Sequence, residues 1–518
     1  MKSVMQHRFS EVPSVDIPRS QFDRSHGHKT TFDAGYLVPI FIDEVLPGDT
    51  FKLDMAGFAR LATPYFPIMD NMVMDTFFFE VPCRLVWDNF KKAMGERANP
   101  GDSVDYTVPV IDDINNIANE TLADYFGIPT QVAANQEVNA MPFRAYNLIW
   151  NEWFRDQNLQ DSLPVNTDQG PDNIADYTLQ RRCKRHDYFT ACLPWLQKGD
   201  AVQLSLGTQA PVKRMANAPG WSAFDHNTSN LTGAGTVSTQ AGGTLAVSGT
   251  RVSLYPPPDS MYSDLTEATA STVNELRQAV QTQRLLEKDA RSGTRYTEIV
   301  QSHFGVTSPD ARQQRPEYLG GGSTPVSISP VSRTDASAGE VGGLGTTHFQ
   351  NHGFTKSFTE HGYVIGLICV RADLTYQEGL EKLWSRSTRY DFYWPTLAHL
   401  GEQAVLNKEI YVDATTVGDD SQNDVFGYQE RYAELRYKPS KITGKMRSND
   451  ALSLDPWHLS VEFGAQPTLD STFIEENPPI DRIIRVPSEP HFIFDSYLRL
   501  QCTRPLPVYS VPGFIDHF

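Results

Sequence analysis

Met72-Val73-Met74-Asp75-Thr76-Phe77-Phe78-Phe79-Glu80-Val81 decides how the rest of the chain is read. It is rich in β-branched and aromatic residues, and from Thr76 to Val81 it is apolar on both faces. A strand with that pattern belongs between a core and a second covering layer. Two further strands are expected just upstream at 36–45 and 50–61, set apart by Pro47-Gly48-Asp49 and by the turn-rich residues 64–70. Downstream, 428–437, 458–463 and 491–502 carry the same β character. With 34 Pro and 35 Gly in 518 residues, the chain is expected to be mainly β and to be punctuated by turns rather than built on long helices.

Helical patterns are fewer and fall between the β segments. Residues 86–94 form one, and 140–155 another, with Phe143, Tyr146, Ile149, Trp150 and Trp153 on one stripe. The clearest covers 265–291, opened by Asp264 with Glu267 three residues on, closed by Gly293, and expected to lie across the outside of the β core.

The predicted organisation has five parts. Residues 1–33, without helical or strand period, read as an extended arm that needs partners for order. Residues 34–206 hold the first strands and helical insertions. Residues 207–262, dominated by Gly, Ser, Thr and Ala, read as an insertion, with a hairpin expected around Gly249 between Leu245 and Leu254. Residues 263–504 complete the fold, and 505–518 form an apolar, extended tail that must pack on its own body or on a neighbour. Gly320-Gly321-Gly322 and Gly342-Gly343-Leu344-Gly345 lie in a predicted loop, 320–347.

The net charge of -18 argues against a surface devoted mainly to nucleic acid, because phosphate binding relies on Lys and Arg. Contacts with DNA should therefore be local. Two basic runs stand out: Arg181, Arg182, Lys184 and Arg185, and then Arg436, Lys438, Lys441 and Lys445. Either could touch phosphates or pair with carboxylates of a neighbouring subunit. The five cysteines are scattered and odd in number, so reduced, buried thiols are expected. Residues 1–29 lack the apolar run of a signal peptide, and 36–42 and 362–370 are too short to cross a membrane.

The search for catalytic chemistry returns little. There is no phosphate-binding loop and no Gly-x-Ser-x-Gly elbow. His348 and His352 have the spacing of two metal ligands on a helix, but their surroundings are Gly-rich and they read as ordinary loop histidines. Carboxylate pairs such as Glu475-Glu476 read as solvated loop charge. No catalytic residue, cofactor or metal is expected.

Several stretches nevertheless carry a likeness. Ile17-Pro18-Arg19-Ser20, Phe22-Asp23-Arg24-Ser25-His26-Gly27, Pro67-Ile68-Met69-Asp70-Asn71, Lys184-Arg185-His186-Asp187-Tyr188-Phe189-Thr190, Gln314-Arg315-Pro316-Glu317-Tyr318-Leu319-Gly320-Gly321 and Tyr437-Lys438-Pro439-Ser440 occur in the order found in gokushovirus (Microviridae) major capsid proteins, which this sequence resembles. The resemblance implies an eight-stranded viral jelly roll with long insertions, in a T=1 shell of about sixty identical chains around circular single-stranded DNA. It also implies an internal scaffolding protein, a small basic DNA-binding protein, a DNA pilot protein and a host receptor as partners, with assembly in the bacterial cytoplasm. The arm would then lie inside the shell, and 207–262 would form a three-fold protrusion meeting the host. Trp221 and Phe224 are its candidate contacts, unless they merely stabilise the protrusion. A jelly-roll carbohydrate-binding protein or glycosidase is the alternative, since a fold alone does not fix function.

Overall fold

A computed structural model describes residues 18–133, 135–202, 212–214, 222–225, 252–255, 261–263, 273–291, 293–307, 314–333, 341–412 and 420–509. The chain divides into two compact units, one of residues 1–196 and 294–518 and one of residues 197–293.

In the first unit the phenylalanine stretch is a strand, and the chain crosses between two antiparallel sheets around it. In chain order the strands are β1 Ser20–Asp23, β2 His26–Phe32, β3 Val38–Val45, β4 Thr50–Leu61, β5 Met72–Pro82, β6 Glu317–Pro325, β7 Ser327–Ser332, β8 Val341–Ser357, β9 Gly362–Ala372 and β10 Phe492–Arg504. One sheet has the order β6-β5-β9-β3. The other has the order β1-β10-β4-β8-β7, with β2 also paired to β10. Four strands of each sheet (β3, β5, β6, β9 and β4, β7, β8, β10) make a jelly-roll sandwich with open edges, and β1 and β2 extend one side.

Alternation along β5 explains why this stretch organises the fold. Phe78, fully buried, points into the core between the sheets, where it meets Phe41 and Phe354 at ring separations of 6.2 and 5.5 Å. Phe77 and Phe79 point the other way, against Phe154 at 5.1 and 5.8 Å. The expected second layer is supplied by helix α1, Met141–Ile149, which buries Phe143, Tyr146 and Ile149 on the outer face of the four-stranded sheet. Its last turn widens into a π-helix, Trp150–Phe154, and the changed repeat carries Trp153 to the rim of the stripe, 39% exposed. Residues 86–94 shrink to a single turn, Phe90–Ala93.

The Gly-rich stretches are strands rather than a loop. A Cβ on Gly321 would stand 1.9 Å from the Thr76 carbonyl oxygen on β5, and one on Gly353 of β8 2.0 Å from the Leu53 carbonyl oxygen on β4. Glycine is thus required by close strand pairing, not by a turn. Two other expected strands fail. Only Val425–Glu430 is extended, paired with Glu402–Leu406, and the chain then turns through Tyr432 at a φ of 62° into the short helix Ala433–Leu435. At 458–463 side chains replace the ladder: Asp70 accepts from the Leu459 amide at 2.8 Å, and Glu378 from that of Phe463 at 2.9 Å.

From Ser20 onward the expected arm is part of the six-stranded sheet, while 1–17 lie outside the described residues. In the second unit Val212–Arg214 pairs with Met261–Ser263, and Ser222–Asp225 with Val252–Tyr255. The strand at 252–255 therefore takes its partner from 222–225, and the expected partner at 245–247 lies outside the described residues. Helix α2 is described over Val273–Arg291, with Val273, Leu276 and Val280 exposed.

Candidate functional site

The first basic run is drawn into the protein. Residues 181–184 are stitched between two other segments: the Arg182 amide donates to the Gly35 carbonyl at 3.0 Å, that of Lys184 to Ile474 at 2.7 Å, and that of Glu476 back to Arg182 at 2.8 Å. Side chains follow the backbone inward. Arg181 lies 4.1 Å over the Tyr36 ring and donates to Asn477 at 3.0 Å. Arg182 and Arg371 share the Asp75 carboxylate, each at 2.8 Å, with Ser323 donating to its other oxygen at 2.6 Å. Lys184 donates through Nζ to the Phe473 carbonyl at 2.6 Å, and burial lowers its pKa from the usual lysine value. Glu476, expected in a solvated loop, is buried, which pushes its carboxyl above the ordinary range against the attraction of Lys184, Arg182 and Arg371. Arg185 is the exposed member of this run.

The following residues form a joint. Asp187 accepts from the amides of Phe189 at 2.9 Å and Thr190 at 2.8 Å, and its other oxygen accepts from the Tyr376 hydroxyl at 2.6 Å. Tyr188 donates to buried Glu409 at 2.8 Å. Tyr188, Phe189 and Tyr376 join Val405, Ile410, Phe426 and Phe473 in a third core built largely from the segment connecting β9 to β10.

The second basic run sits at the surface. The Lys438 and Lys441 side chains are 73% and 55% exposed, both beside Glu381, whose carboxyl is held below its ordinary pKa by the Lys441 hydrogen bond. Lys445 is exposed, and Arg436 is paired with Glu430. Next to this run stands a feature the sequence reading passed over. Trp384, Tyr390, Phe392, Tyr393 and Trp394 are all exposed, Trp384 by 70%. Arg389 lies 5.2 Å over Tyr390 and 5.6 Å over Trp394, and Arg386 lies 5.6 Å over Phe392. Tyr432 ties this segment to the basic run by ring contact with Tyr393 at 5.1 Å and a hydrogen bond to the Phe392 carbonyl at 3.1 Å. The available signal was aromatic residues interleaved with arginine and without the alternation of a strand.

The remaining candidates separate. His348 is exposed on β8, whereas His352 is buried past a bulge, with its ring nitrogens 2.9 Å from the Thr76 hydroxyl and 3.1 Å from the Thr324 hydroxyl. The i, i+4 pair thus lies on a strand and its rings do not converge. No cluster of three or more potential ligands occurs among the described residues. All five cysteines are free, and burial pushes Cys83, Cys183 and Cys369 up to about 12. Phe224 falls on the strand Ser222–Asp225, opposite Ser253, and Trp221 lies outside the described residues.

Comparison with known proteins gives concordant matches. The model of a family described as capsid protein (F protein) matches residues 10–514. Capsid protein VP1 of Bdellovibrio phage phiMH2K is 49% identical over 536 residues, spanning 99% of this chain and 98% of that protein. Capsid protein VP1 of Chlamydia phage 1 is 46% identical, again over 99% and 98%. Capsid protein VP1 of Spiroplasma virus 4 is 35% identical, over 98% and 97%.

Proposed function

Because the chain belongs to the capsid protein (F protein) family, we propose that its copies close into a T=1 icosahedral shell of about sixty subunits around a circular single-stranded DNA genome. The observation that carries the reading is end-to-end similarity to three phage and viral capsid proteins, which leaves no large part of the chain for another task. The role is architectural rather than catalytic. A jelly-roll sandwich suits tiling because its two sheets form a stiff block whose insertions can be varied to make contacts.

The partners follow from this reading. Assembly takes place in the host cytoplasm on an internal scaffolding protein, and the genome is neutralised largely by a separate small basic protein, because a chain of charge -18 cannot do so alone. A DNA pilot protein completes the particle. Residues 207–262, which lie within the second compact unit, carry contact with a host receptor through Trp221 and Phe224. Arg181, Arg182, Lys184 and Arg185 remain candidates for phosphate contact together with Lys441 and Lys445. Their intrachain bonds, however, favour Arg185 among the first four.

Co-expression with the scaffolding protein, followed by electron microscopy and sedimentation, tests the central claim. Closed shells of megadalton mass are expected, and a monomer or small oligomer under all assembly conditions would overturn it. Particles lacking 207–262 should still close but adsorb poorly to cells. Normal adsorption would remove the receptor role.

A further inference from the structure

We propose that the exposed face formed by residues 383–394 and 436–447 binds single-stranded DNA, with bases stacking on Trp384 and its neighbouring rings and phosphates held by Lys438, Lys441 and Lys445. The inference rests on the capsid reading and names the part of the subunit that would meet the genome.

Three observations carry it. In a chain of net charge -18, residues 380–400 and 431–447 hold nine Lys and Arg against three Asp and Glu, so these two segments reverse the sign of the chain, with Glu430 and Glu409 beside them. Ring faces and cations then alternate on it: Trp384, Tyr390 and Phe392 are more than half exposed, and Arg386 and Arg389 lie over rings of the same segment. Single-stranded nucleic acid is bound in this way, through stacking that tolerates any base combined with a positive track along the backbone. Finally, a cavity of about 390 Å³ opens here, lined by Leu383, Trp384, Tyr437, Lys438, Lys441 and the Glu381 that pairs with both lysines, with space for a nucleotide whose phosphate would take the place of that carboxylate.

A second copy of the chain is the competing occupant. Lysine argues against it, because protein interfaces favour aromatic residues and arginine but are depleted of lysine, whereas Lys438 and Lys441 are 73% and 55% exposed on this face. The segment is held by Tyr432, which meets the Tyr393 ring at 5.1 Å and donates to the Phe392 carbonyl at 3.1 Å, and by Arg431, which donates to the Tyr390 carbonyl at 3.2 Å.

The test uses the full-length, unassembled chain, with fluorescence anisotropy of labelled oligothymidylate and of an abasic oligomer of equal length. Trp384→Ala should weaken oligothymidylate binding about tenfold, while Trp384→Phe, which keeps a ring, should hold most of the affinity. The abasic oligomer should bind the wild-type chain and the Trp384→Ala variant alike. Removing Lys438 and Lys441 together should flatten the plot of log affinity against log salt by about 1.4. If Trp384→Ala binds oligothymidylate like the wild type, or loses only self-association in sedimentation velocity, the face is a contact between copies and the proposal falls. Shell closure by the wild-type chain, viewed by electron microscopy, separates that outcome from failure of the capsid reading.

Discussion

Arg181 to Arg185 and Arg436 to Lys445 look interchangeable as runs of charge, yet the fold uses them in opposite ways. In the first, Arg182 and Lys184 are consumed by Asp75 and by the Phe473 carbonyl. In the second, Lys438 and Lys441 stand in solvent beside exposed rings. The difference lies in what surrounds each run. The first is flanked by Tyr36 and by residues 474–476, which pin its backbone inside, so its charges must find partners or cost heavily. The second follows a short helical turn and stays in solvent, so its pairs with Glu381 and Glu430 are surface pairs that water screens. Basic density therefore marks a functional surface only where the backbone carrying it is exposed.

The contrast can be broken most directly at Arg182. Arg182→Ala leaves buried Asp75 with one of its two arginines and should destabilise the subunit by about 3–5 kcal/mol in denaturant unfolding. A loss below about 1 kcal/mol would mean that Arg371 alone satisfies Asp75. A buried acid sharpens the same point. Burial pushes the Glu80 carboxyl up to about 7; Lys356 opposes the shift, while Glu317, its partner on β6, and Glu360 add to it. The folded state therefore holds a proton that the unfolded chain gives up from about pH 4.5. Glu80 should contribute stability that is fully present below that pH and lost as pH rises through about 7, in total about 3 kcal/mol. Unfolding of Glu80→Gln across this window should lack that slope. The smallest effect is expected in the exposed run, where Lys441→Ala or Lys445→Ala should change stability by less than about 1 kcal/mol. A larger loss for either would show that the second run is structural as well.

The sandwich was legible where apolar pattern and burial coincide. Thr50–Leu61 has the bounds its alternation suggests, and Phe77 to Phe79 announce a strand covered on both sides. What escaped depends on partners distant in the chain. Gly321 looks like a flexible loop residue until Thr76 is seen against it. His458 to Phe463 has the composition of a strand, but Asp70 and Glu378 occupy its amides, so no neighbouring strand is needed. The fate of Arg182 turns on Asp75, more than a hundred residues away. The aromatic face was missed for the opposite reason, because its rings lack the period that signals a core.

The pairing of β10 sets an order of events during folding. This strand lies inside the six-stranded sheet, with Phe492 opposite Leu61 on one side and Leu498 opposite His26 on the other, so it joins partners far from it in the chain. Until it pairs, β4 has an open edge and, among the described residues, β1 and β2 have no other partner in the sheet. Contacts of such sequence separation form late and slowly. The sandwich thus cannot close around a truncated product, and a chain stopped before Phe492 should be sensitive to protease and prone to aggregate. Loss of the segment that carries β10 would thus be felt across the whole sheet rather than at one edge.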